Sequence, residues 1–300
     1  MLESLIQQLP TELALHILLC AAHDSVASDR AWVVELALVS RFVCELVQPV
    51  LYHTMVVTDS NQVAVEKLAG DIASARIFHS VRRLVADYSL RSWDDSDVLR
   101  LFGGVTSIDA PLEIIKVLSV SPEFRPRSLV VRYCWFAGFT DELPRTALAA
   151  VTHVAGFFPN GSQPEGTLTA EHVMHFLDAM PSLTHFGLDL LDISRFYDPP
   201  DGEDEEVREI LDLDALDLAL RAALCSPRIQ VVALRVGGDW LSYWPDIVRI
   251  AVRLQDARVF GWHDTRPMRS WEKEAMYSTS DAWAGRTVWT EAQQLWKPST

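Results

Sequence analysis

The sequence predicts an α/β chain: a short N-terminal module of three helices, then an irregular solenoid in which parallel strands alternate with helices. Three observations predict it. A helix-start signal, Leu9-Pro10-Thr11-Glu12-Leu13, leads into apolar residues at helical spacing. A six-residue pattern, with apolar residues at its first and fourth positions and a small or apolar residue at its sixth, returns seven times from Val81 to Trp262. Segments of helical character lie between the copies.

The module comes first. Pro10 stands where a helix begins, where its missing N–H costs nothing, and Glu12 follows in the turn that favours a carboxylate. Leu9, Leu13, Ile17 and Ala21 form a stripe that Ala14, Leu15, Leu18 and Leu19 widen, so one partner cannot cover this helix. Trp32, Val33, Leu36, Leu38 and Val39 predict a second helix, and Phe42, Val43, Leu46 and Val47 a third that stops before Pro49. A strand over Leu51 to Val57 leaves the module, which spans 1–57. So small a unit cannot bury all its apolar surface, and the remainder marks a docking face.

Asn61 to Leu68 is helical in pattern, and the repeats follow. The copies begin at Val81, Val105, Pro126, Val151, Leu183, Ile229 and Ala257, about 23 residues apart at first and then further. Ser96 to Phe102, Leu112 to Leu118, Glu171 to Met180, Leu213 to Leu224 and Asp246 to Leu254 supply the helices between them. A short strand and a helix at a period in the twenties is the mark of a leucine-rich-repeat solenoid, whose units stack to bury what none covers alone. Here the usual Asn after the strand is missing, and two insertions interrupt the series: the turn-rich Phe157 to Thr167 and the acidic Asp198 to Glu209. The expectation is therefore an irregular leucine-rich-repeat-like domain over 58–270. A doubly wound α/β domain has the same alternation, but no Gly-rich loop follows any strand to cradle a phosphate.

Seven tryptophans crowd the C-terminal part: Trp240, Trp244, Trp262, Trp271, Trp283, Trp289 and Trp296. A solenoid must close the open end of its core, and residues 271–300 are assigned that cap, with one or two helices over Ala275 to Trp296. The other use of such rings is a binding hot spot.

Composition narrows the function. A net charge of −15 disfavours nucleic acid and anionic membrane surfaces. No run of 18 apolar residues is present, and without a basic start, an apolar core and a small-residue cleavage site no secretory signal is expected. Cys20, Cys44, Cys134 and Cys225 are scattered among apolar neighbours, which predicts buried free thiols in a reducing compartment, cytoplasmic or nuclear.

The search for chemistry yields one candidate, His172 and His175, three apart on a helix. A metal-dependent hydrolase would need a third ligand, and none is identifiable; Thr169 capping that helix explains the site more simply. His263-Asp264 and Asp94-Asp95 read as ordinary loop residues, His153 and His185 as structural ones. No nucleophile elbow and no Cys–His set is present, so neither an enzyme nor a cofactor is expected. Binding remains. Strand alternation places Asp87, Asp109, Arg132 and Phe157 on the strand-lined face, followed by Asp189, Arg235 and His263, as candidate target-binding residues.

The first module resembles the F-box, in the F-box-like form common in fungal proteins. The family pattern of Leu-Pro-x-Glu-Leu, an Ile-Leu pair and Val-Ser-Arg is met by Leu9-Pro10-Thr11-Glu12-Leu13, Ile17-Leu18 and Val39-Ser40-Arg41. Gln48-Pro49-Val50-Leu51-Tyr52 is similar to the exit of many fungal members. Val43 stands where many carry Trp, and the loop from His23 to Arg30 is longer than in a compact member. The resemblance implies a non-catalytic substrate receptor of a cullin-type ubiquitin ligase. It would dock the Skp adaptor through Leu9, Pro10, Leu13 and Ile17, with Leu18, Val39 and Phe42. The alternative is a stand-alone scaffold whose module packs wholly against the repeats.

Overall fold

A computed structural model of the chain describes residues 10–26, 28–71, 76–86, 101–132, 139–157, 169–190, 211–266, 281 and 286–297. Three helices come first: α1 (Thr11–Ser25), α2 (Arg30–Ala37) and α3 (Arg41–Leu51). Side chains set where two of them start. Asp29 Oδ1 accepts from the Trp32 amide at 3.1 Å, and Ser40 Oγ from the Val43 amide at 3.2 Å. Each satisfies an amide that has no partner within its helix. The helices share a small core of Ala22, Val33, Val43, Val47, Val50 and Leu51.

Three boundaries differ from the sequence expectation. α2 ends at Ala37, so Leu38 and Val39 form the turn into α3. α3 runs through Pro49 to Leu51; the proline forfeits one amide bond, but burial of Val50 and Leu51 holds the final turn. His23 to Ser25 belong to α1, so the connection to α2 is shorter than His23 to Arg30.

The second region opens with β1 (Thr54–Val57), α4 (Gln62–Gly70) and a 3-10 segment over Arg76–Ser80. Next come β2 (Arg83–Ala86), β3 (Ser107–Pro111), α5 (Leu112–Ser119) and β4 (Ser128–Arg132). Two single turns, α6 (Phe139–Glu142) and α7 (Arg145–Leu148), precede β5 (His153–Phe157) and α8 (Ala170–Ala179). They are followed by β6 (His185–Leu190), α9 (Leu213–Cys225) and β7 (Val231–Gly237). A 3-10 segment over Gly238–Tyr243 leads to α10 (Trp244–Leu254) and β8 (Val259–Asp264), then α11 (Val288–Glu291) and β9 (Gln293–Gln294).

The nine strands form one open sheet in sequence order, parallel from β1 to β8, with β9 antiparallel on the last edge. That order never reverses, so the described strands have no crevice of the doubly wound kind.

The recurring pattern explains the core. Leu84, Ile108, Leu129, Val154, Phe186, Val232 and Val259 lie side by side across the sheet, all buried. Helix residues such as Ile115, Phe176, Leu216 and Ile247 complete one continuous apolar core with them. The pattern's threonines carry the ladder beyond the strands. The hydroxyls of Thr106, Thr152 and Thr184 donate to the carbonyls of Arg82, Arg127 and Thr152 at 3.2, 3.1 and 3.1 Å, each reaching the preceding strand's lead-in.

The last copy is displaced by one residue from its sequence assignment. Val259, rather than Phe260, pairs with Val232, so Arg235 lies opposite Trp262 and Val236 opposite His263. A one-residue slip sends every side chain to the other face. His263 therefore leaves the strand-lined face and stacks on Trp244 at 4.8 Å between ring centroids, while Trp262 takes its place. Nor are His263 and Asp264 loop residues: both lie in β8, and Asp264 is buried.

The tryptophans divide between roles. Trp240 is part of the core, and Trp244 packs against it. The sheet edge is closed by β9 and by Leu295, whose amide donates to Val259 O at 3.0 Å and whose side chain packs on the core. Trp289 lies over the opposite face, beside Gly187. Trp271, Trp283, Asp94-Asp95 and the acidic run Asp198 to Glu209 fall outside the described residues. Cys20 and Cys225 are exposed and Cys44 is half-buried, against the expectation of buried thiols. Cys20 sits on the uncovered part of α1, and Cys225 ends α9. Cys134 lies outside the described residues. Among the described residues no helix is long and apolar enough to cross a membrane.

Candidate functional site

Two surfaces carry the predicted residues. The first is on the helical module. Leu13 and Ile17, one turn apart on α1, are 46 % and 50 % exposed; Val39 and Phe42, at the entry to α3, are 71 % and 58 % exposed. Pro10 is exposed and Leu18 half-buried, while Leu9 lies outside the described residues. None of these belongs to the module's core, and among the described residues no later segment covers Leu13, Ile17, Val39 or Phe42. The reason is geometric. Val43 and Val47 turn one face of α3 inward against Val33 of α2 and Ala22 of α1, which leaves Phe42 pointing out. Leu38, 79 % exposed, adjoins Val39 and was missed because it lies outside the Val39-Ser40-Arg41 motif from which the contacts were taken.

The second surface is the strand-lined face. Asp109 and Arg132 are there, and they hold one another: Arg132 grips Asp109 through both Nε and Nη2. Arg235 bridges Asp189 (3.1 Å) and Asp264 (3.1 Å). Arg266 binds Asp264 in turn and reaches both oxygens of Asp281 at 2.7 and 2.9 Å; Arg286 adds a bond to Asp281 at 2.8 Å. The Arg235 and Arg266 guanidinium carbons stand 4.9 and 5.2 Å from the Trp262 ring centroid, within cation–π range. Burial alone would raise the Asp264 pKa, but hydrogen bonds from Arg266 and the charges of Arg235 and Arg266 outweigh it, so the carboxyl is held below its ordinary range. Phe157 is in register with Asp189 at the end of β5. Asp87 and the side chain of Phe157 lie outside the described residues. The predicted charges thus fall into two largely buried groups, the Asp109–Arg132 pair and the Asp189–Arg235–Asp264 bridge.

Beside it sits an aromatic stack. His153 and His185 are paired in register, their rings 3.9 Å apart and nearly parallel. The Trp289 ring stands edge-on to both, at 5.5 and 5.7 Å. A Cβ at position 187 would fall 2.8 Å from Trp289, so glycine is what admits the indole there. Burial, then the neighbouring His185, pushes the His153 pKa down to about 4.

Between the sheet and the C-terminal segment lies an open cleft of about 700 Å³ counted to its mouth. Arg83, Arg132, Arg235 and Trp262 line it from the strands, Asp281, Arg286 and Trp289 from the C-terminal side. Sequence reasoning placed Arg235 and Arg132 but missed Arg83, Trp262 and the C-terminal contributors. Arg83 was legible, since alternation puts it on the same face as Val85; Asp281, Arg286 and Trp289 carry no periodic signal.

The two histidines on α8 have other polar partners in this fold. His172 Nδ1 meets the amide and hydroxyl of Thr169 at the helix start, where Thr169 Oγ1 accepts from the His172 amide. His175 Nε2 lies 2.9 Å from Asp141 Oδ1 at the surface. Among the described residues no three His, Cys, Asp or Glu side chains are grouped to hold a metal. Neither a protein-family model nor a curated protein sequence matches this chain.

Proposed function

We propose that the chain is a non-catalytic substrate receptor of a cullin-type ubiquitin ligase, in which the F-box-like helices dock the Skp adaptor and an irregular leucine-rich-repeat-like solenoid holds a target protein. The observation that carries the reading is the exposure of Leu13, Ile17 and Val39 at motif positions and of Phe42 beside them, four apolar side chains that the module's own core does not use. Fully burying an aliphatic or aromatic side chain of this size contributes roughly 1.5–3 kcal/mol, so burying what is exposed of the four would favour association. Strand order in strict sequence, with helical segments between most of the described neighbours, supports a solenoid for the rest.

The test is a pull-down with purified Skp adaptor. The intact chain is expected to retain the adaptor, and the double variant Leu13→Asp/Phe42→Asp to lose it while remaining folded by circular dichroism. No retention by the intact chain, or full retention by the variant, contradicts the proposal.

A further inference from the structure

The C-terminal segment is held differently on the two sides of the last strands. On the core side, Leu295 packs beside Gly261, where an added Cβ would fall 2.9 Å from its methyl groups, and its amide donates to Val259 O at 3.0 Å. With β9 it closes the sheet edge. On the strand-lined side the hold is slighter. No residue of α11 is buried, and a helix of four residues does not stand by itself in water. Trp289 fastens it in the notch above Gly187, edge-on to His153 and His185, and Arg286 binds Asp281 at 2.8 Å. Between the two parts the backbone is extended at Ala292, just past the last turn of α11.

The notch lies among the predicted target-binding residues. Val288 and Trp289 border the same cleft as Asp109, Arg132, Asp189 and Arg235. Its floor is the row of small residues Ala155, Gly187 and Ala233, paired in register across β5, β6 and β7. A partner laid along these strands meets α11 in the same space.

We infer that α11 is an autoinhibitory strap: it lifts from the strand-lined face while β9 and Leu295 stay in place, and an aromatic side chain of the target takes the notch that Trp289 leaves. Segments with few buried contacts are the first to open. The notch suits a ring, since glycine at 187 is what leaves room for one and two imidazoles stand at its edge. A tethered occupant acts at high effective concentration, so the face is closed to a competing ring until the strap is released. The inference rests on the receptor reading for the target alone. Its test uses neither target nor adaptor, so either reading can fail without the other.

The test has two arms, both on the full chain. In hydrogen exchange, the amides of Glu291 and Ala292, which bond Thr287 O and Val288 O, are expected to exchange at least about 100-fold faster than those of β6. Leu295, on the anchored side, should be at least about tenfold slower than Ala292. In the second arm a fluorescein-labelled peptide of residues 286–292 is titrated onto the unaltered chain and onto Trp289→Ala, whose folding a thermal melt establishes. The variant is expected to bind it with a Kd below about 1 mM, the unaltered chain at least about tenfold more weakly. The same peptide carrying Trp289→Ala should not bind the variant. Exchange of α11 as slow as that of β6, or of Leu295 as fast as that of Ala292, overturns the inference. So does equal affinity of the two chains, no binding by the variant up to about 1 mM, or equal binding of the two peptides.

Discussion

In the helical module six buried residues make the core, while Leu13, Ile17, Leu38, Val39 and Phe42 remain in contact with water. In the sheet region the buried rows run without a break from Val57 to Val259, and even the face without helices is partly covered, by Trp289 and the Arg286 segment. The difference teaches where each region is completed. The sheet is finished within the chain, edge included, by β9 and Leu295. The described part of the module leaves these five side chains uncovered, and the proposed adaptor is what would cover them.

Breaking the comparison starts in the sheet core. Phe186→Ala empties a fully buried site, and an expected loss of about 3–5 kcal/mol is measurable by urea unfolding. Asp264→Ala strips a nearly inaccessible carboxylate from both Arg235 and Arg266; about 3 kcal/mol is expected in the same assay, because two guanidinium groups lose their shared partner. In the module, Ser40→Ala removes the cap of α3 for a smaller loss of about 1 kcal/mol.

Acid sharpens the contrast. The His153 pKa is lowered in the fold to about 4, so between its unfolded value and 4 the unfolded chain binds more protons. Stability is full above the unfolded pKa and falls as pH drops through that window. The loss is about 1 kcal/mol after discounting for solvent screening, since the ring is only half-buried. Unfolding curves at pH 7 and pH 4 check it, and His153→Gln should remove this contribution while leaving those of His185 and His53, whose pKa values burial also lowers.

How much of this was legible in the sequence follows from periodicity. The strands and α5, α8, α9 and α10 were readable because each copy sets one apolar residue into the same row, Leu84 through Val232. The last strand was misread because Phe260 fits the pattern as well as Val259 does; only the pairing with Val232 decides, and that is a tertiary fact. It cost the reading Trp262 and added His263. Pro49 misled in the same manner, since a proline's local penalty is outweighed by packing of Val50 and Leu51 two turns from Val43. On the module's surface the motif residues were legible as types, and their exposure follows from which face of α3 the valines claim. The network on the strand-lined face was half legible: alternation located Asp109, Arg132, Asp189 and Arg235, but only tertiary structure brings Arg266, Asp281 and Arg286 to them.

The most direct measurement is a calorimetric titration of purified Skp adaptor into the intact chain and into Ile17→Asp, paired with their unfolding curves. Ile17 is half exposed, so the substitution should change stability by no more than about 0.5 kcal/mol. If the module is completed by the adaptor, the same substitution weakens binding about 100-fold, because a carboxylate is then driven into an apolar interface. Equal affinity of the two chains, or no binding heat from either, would contradict the account.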